Sequence, residues 1–144
     1  MSRIIIKSGK DIPEEESSKH IKLYQKTYVS PEEADRLNIR THAVLWEKLA
    51  YRGAVKPHTH SCAELIFITK GSVMFYNEDH WEPRGAGDVI LVGAGALHSV
   101  INTDPNTESE QISLFIPTDS SETENTFFDA FPAEISDFEK LRTM

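Results

Sequence analysis

From residue 42 to about 117 the chain runs in short blocks of valine, isoleucine, leucine and aromatic residues, broken by glycine, proline, asparagine and aspartate. Blocks this brief and this rich in β-branched side chains predict the strands of a sandwich or barrel. We read strands at 41–51, 62–69, 72–77, 88–93, 97–102 and 109–117, with Lys70-Gly71 as a hairpin-like break. RIIIK at 3–7 predicts one more short strand, whereas 11–28 is polar without a clean period and receives no element. In SPEEADRL, Ser30 precedes Pro31, and Glu33 follows three residues on. That is the spacing of a capping box with proline in the first turn, and it predicts a short helix through Leu37. After Pro117 the chain turns polar, and FFDAFPAEISDFEKL then predicts a helix interrupted at Pro132 and a second towards Leu141. Phe127, Phe128, Phe131, Phe138 and Leu141 are expected to cover an edge or end of the sheet, or a partner subunit.

With 144 residues the chain is expected to form one domain, able to bury a core without disulfides or a structural metal. Its barrel core spans about 42–117, between an N-terminal extension, 1–41, and a C-terminal extension, 118–144. Fifteen basic against 23 acidic residues give a formal charge of −8, which works against phosphate backbones and anionic lipid. Neither nucleic acid nor a membrane is expected as a partner. The one cysteine, a three-residue apolar run at the N-terminus and the lack of any segment of spanning length lead us to expect a cytoplasmic protein.

The candidate chemistry lies in two stretches. KPHTHSCAELIFITKG, 56–71, puts His58 and His60 on one face of a strand, with Glu64 at the same parity. GAGDVILVGAGALHSVIN, 85–102, carries His98 behind a glycine-rich turn. On these residues the chain resembles the cupins. Gly53, His58, His60, Glu64 and Gly71 follow the first family motif, and Gly87, Gly93-Ala94-Gly95, His98 and Asn102 the second. Two departures stand out: four residues rather than five separate Gly53 from His58, and Gly93 replaces a proline. Neither touches a ligand position. The resemblance covers about 42–117 and implies an all-β double-stranded β-helix, a jelly-roll barrel, with short helices at the N- and C-terminal ends. It also implies one divalent ion held by His58, His60, Glu64 and His98.

Three imidazoles and a carboxylate form a mixed nitrogen and oxygen set suited to iron, manganese, nickel or zinc. Such a site keeps positions open and is net positive, which favours an anionic small molecule. Strand alternation sends Ile66, Ile68, Val100 and Asn102 to the interior with the ligands, as an expected substrate pocket or as plain barrel core. Asp88 and Asn102 are expected to fix turns, Cys62 to be a small buried hydrophobe, and His42 and His80 to be surface groups. No proton-transfer residue is nominated; Ile66 stands two residues after Glu64, where a tyrosine would qualify. The expected function is a metal-dependent enzyme for a small anionic organic substrate, a dioxygenase or an isomerase, lyase or cyclase. The alternative is a non-catalytic small-molecule-binding or sensor cupin. HSCAELIFITKGS is similar to the sensing half of AraC-type regulators, but the 27 residues after Pro117 leave no room for a helix-turn-helix domain. A homodimer is expected, through sheet faces or an exchanged N-terminal strand.

Overall fold

The computed structural model describes residues 2–118 and 130–144. A two-residue strand, β1 (Glu15–Glu16), and a nine-residue strand, β2 (Ile21–Val29), lie where the sequence offered no period. Helix α1 (Pro31–Leu37) follows with its full capping box: Ser30 accepts from the Glu33 amide, and the Glu33 carboxylate accepts from the Ser30 amide. RIIIK forms no strand, a correction to the sequence reading. Ile4 and Ile6 are 70% and 89% exposed, so β-branched side chains without a neighbouring edge stay unpaired.

Strand β3 (Ala43–His60) organises the rest. It is one 18-residue strand with a bend in the middle. At that bend Arg52 has φ of 65°, and a side chain on Gly53 would meet the Ala50 carbonyl at 2.8 Å and the Lys22 carbonyl at 2.9 Å. Only glycine permits that approach. The first half of β3 pairs with β2 and with β9 (Ser109–Ile116), and the second half with β8 (His98–Ile101) and β10 (Ala130–Pro132). Strands β4 (Ala63–Lys70), β5 (Ser72–Asn77), β6 (His80–Gly85) and β7 (Val89–Val92) complete the antiparallel path β6-β5-β8-β3-β9-β4-β7. Leu23, Leu49, Ile66, Ile68 and Val92 from one wall pack against Val55, Val73, Phe75 and Val100 from the other. The result is the expected jelly-roll barrel. Helix α2 (Phe138–Thr143) closes the chain, and Arg142 Nη1 donates to the Arg52 carbonyl at the β3 bend.

Three further readings are corrected. The stretch read as a polar turn around His80 is a strand, because Glu78 (φ 58°) and Asp79 alone make the turn and β6 then pairs with β5. His42 is buried, not a surface group, since its amide is already bonded to the Phe115 carbonyl at 2.7 Å and the side chain goes down with the strand. Ala130–Pro132 is a strand paired with His58–His60, not the end of a helix. Phe127 and Phe128 lie outside the described residues.

Candidate metal centre

His58 and His60 face inward from the end of β3, Glu64 from the start of β4 and His98 from the start of β8. The turn at Ser61–Cys62 separates the histidine pair from Glu64, so hairpin reversal, not parity along a single strand, brings the carboxylate to the imidazoles. The register His58↔His98 then sets two rings opposite one another. One candidate ligand atom from each of the four residues lies within 4.8 Å of all the others. Ring centroids are 4.4 Å apart for His58 and His98 and 4.9 Å for His60 and His98.

Each ring is oriented by the main chain. Nδ1 of His58 meets the Lys56 carbonyl at 2.7 Å, that of His60 the Cys62 carbonyl at 2.8 Å, and that of His98 the Ala96 carbonyl at 2.9 Å. A carbonyl only accepts, so all three Nδ1 atoms carry a hydrogen and all three rings turn Nε2 toward the common point. That is how metal-bound imidazoles are held in place by outer partners. Glu64 Oε1 lies 2.9 Å from His60 Nε2 and 3.2 Å from His98 Nε2.

Burial would raise the Glu64 carboxyl, but hydrogen bonds from His60 and His98 and their charge bring it down to about 2. Burial also opposes charge on His60, yet the hydrogen bond and charge of Glu64 and the Cys62 carbonyl leave it raised. Burial, then His98, lowers His58 to about 4. At neutral pH the cluster therefore holds a carboxylate and a neutral His58, and the hydrogen bonds that His60 and His98 Nε2 direct at Glu64 are the ones a bound cation would replace. The donor set, the fixed tautomers and the spacing fit a divalent ion bound through nitrogen and oxygen.

The other expected residues divide. Ile66, Ile68 and Val100 are buried in the barrel core. Asn102 is fully buried; its Nδ2 donates to the Leu49 and Thr107 carbonyls, and its Oδ1 accepts from the Asp104 amide. Asp88 accepts from the Gly85 amide. None of the first four lines the cleft of about 340 Å³ that reaches His98 between β6 and β7. Phe75, Glu82, Arg84, Ile90 and Val92 make its walls. Cys62 is buried beside His60, at 3.6 Å from Nδ1, and falls outside the four-residue cluster.

Two residues near the cluster escaped the sequence reading. His20 accepts the Lys56 amide on Nδ1 at 3.0 Å, which places its hydrogen on Nε2, and its ring centroid is 5.7 Å from that of His58. Burial, then His58, lowers its pKa to about 4. A lone histidine in a polar run gives no signal. The second is Glu47, a buried acid whose only signal is a charge at an inward position of an apolar strand.

A family model described as Cupin domain matches residues 45–112. The polyketide cyclase RemF from Streptomyces resistomycificus has a similar structure, with a TM-score of 0.74 at 15% identity over 93% of this chain and 88% of that one. A predicted oxalate decarboxylase from Thermotoga maritima gives 0.67 at 22% identity, over 78% and 99%. An RmlC-like cupin from Shewanella frigidimarina gives 0.64 at 13%, over 81% and 94%. At these identities the likeness speaks for the fold. No curated protein matches the sequence.

Proposed function

We propose that this chain, whose residues 45–112 match the Cupin domain model and whose fold is that of cupin structures, is a cupin and a metal-dependent enzyme acting on a small anionic organic molecule. The observation that carries this reading is the set of three imidazoles with carbonyl-locked Nδ1 atoms, converging with Glu64 on one point. A divalent ion held by His58, His60, Glu64 and His98 would supply Lewis-acid polarisation of a bound oxygen or, if iron, a place for dioxygen. Burial, ligand orientation and exclusion of water are the protein's own part. The cleft leading to His98 is the proposed path and seat for the substrate. Phe75, Ile90 and Val92 offer it apolar wall, while Arg84, tied to Glu82 at 3.1 Å, offers a guanidinium at the side. The working form is proposed to be a homodimer.

Elemental analysis of untagged protein tests the centre. Wild type is expected to carry about one transition-metal ion per chain, and His98→Ala to lose at least about tenfold in affinity, as losing one of four ligands should. Unchanged metal content in that variant would refute the ligand assignment. Oxygen uptake with candidate carboxylates and phenols then divides a dioxygenase from an isomerase, lyase or cyclase.

A further inference from the structure

The barrel interior holds a second acid that the ligand set leaves unused. Glu47 is carried inward by β3, opposite Gln25 on β2 and Gln111 on β9, and is only 6% exposed. Ser113 Oγ donates to its Oε1 at 2.8 Å and Gln111 Nε2 donates to the same oxygen at 3.2 Å. Among the described residues no cation pairs with it. The groups facing it are Gln25 from β2, Ser113 and Gln111 from β9, and Ile66 and Ile68 from β4, all uncharged; beyond them stand Glu64 and the three histidines of the centre.

Two register pairs connect the acid to that centre. Ser113 pairs with Ile66, and two residues further along the same strands Phe115 pairs with Glu64. Two residues of strand span about 7 Å, so the Ser113 hydroxyl lies one inward step below the ligand layer. Burial, followed by the Glu64 charge, pushes the Glu47 carboxyl up to about 7. An apolar side chain at 47 would avoid the desolvation that a carboxyl incurs here.

Resting on the metal-centre reading, we propose that Glu47 is a buried proton store coupled to that centre: a neutral acid while the cluster is empty and a carboxylate once a divalent cation occupies it. The nearest charge is Glu64. Alone it is negative and favours the protonated Glu47; joined by a dication the centre becomes net positive and favours the carboxylate. Loading the cation thus expels the Glu47 proton to solvent.

The test counts protons, so it needs no substrate. Zinc is titrated calorimetrically into the metal-free full chain in two buffers of different ionisation enthalpy. At about pH 6 wild type is expected to release close to one proton more per ion than Glu47→Gln, the excess vanishing by about pH 9. Ser113→Ala, which removes a donor to the carboxylate, is expected to move that release window to higher pH, and it carries the test if Glu47→Gln does not fold. Equal proton counts in wild type and Glu47→Gln, with both binding one ion, or an unmoved window in Ser113→Ala, would overturn the role of Glu47 and leave the metal centre intact. Failure of wild type to bind zinc would overturn the centre and the proposal together.

Discussion

Three histidines here each give the Nδ1 hydrogen to a carbonyl two residues away, which aims Nε2 of all three at one point. The spacing of His58, His60, Glu64 and His98 was legible because ligand identity is local. The carbonyls of Lys56, Cys62 and Ala96 were not, because they turn toward the rings only when β3, the Ser61–Cys62 turn and the loop before β8 take their bends. Glu47 was illegible for a different reason: one acid at an inward position reads equally as an error of register or a buried group, and only the Ser113 and Gln111 donors decide it. Its raised pKa has a consequence for stability. In the unfolded chain Glu47 ionises near its ordinary value of 4.5, in the fold only near 7. Its stabilising contribution is therefore complete below the unfolded value and is lost as pH rises through the folded one. Metal-free wild type is expected to lose on the order of 3 kcal/mol relative to Glu47→Gln between about pH 4.5 and pH 8. Parallel denaturant melts across that range check it, and two curves of the same shape would contradict it.

At the scale of elements, legibility followed whether the deciding partner was near in sequence. Helix α1 was readable from SPEE because its capping box closes within four residues, and the structure keeps both bonds. Strand β2 was not, because Leu23 is buried between residues that are exposed or half-buried on both faces, a pattern made by pairing with β3 and not by its own period. Strand β6 hid behind Pro83 and its charges: it is an edge strand, where proline costs no ladder bond, and Glu82 and Arg84 face the cleft. Ser30→Ala removes the bond from the Glu33 amide and is expected to cost about 1 kcal/mol, lowering Tm by roughly 2–4 °C with metal content unchanged. Asn102→Ala is a harsher change. It releases the Leu49 and Thr107 carbonyls and the Asp104 amide at the corner where β3 bends. A loss of about 3 kcal/mol is expected from those buried groups, measurable as a lower denaturant midpoint.

Across the whole molecule, the barrel's inner surface carries the candidate site and its outer surface carries the contact we propose for a dimer. Register sets Ile112, Phe67 and Val89 in one row across β9, β4 and β7, and Leu114, Leu65 and Leu91 in the next. These alternate with the inward residues and so lie on the outer face, where Phe67, Val89 and Leu91 are 36%, 52% and 74% exposed. Such a contiguous apolar face on an antiparallel sheet marks an interaction surface. A net charge of −8 opposes the approach of identical chains through their charged faces, so the uncharged sheet face is the contact we propose for the dimer. RIIIK is the competing route, since Ile4 and Ile6 are exposed as well. The two separate by mutation. Leu91→Lys buries a charge in a sheet-face dimer and is expected to yield monomers at micromolar concentration by light scattering, with metal content intact, whereas removal of residues 2–8 is expected to leave the dimer in place. Dimers surviving Leu91→Lys but lost with the arm would move the contact to the N-terminal strand; a monomeric wild type would remove it altogether.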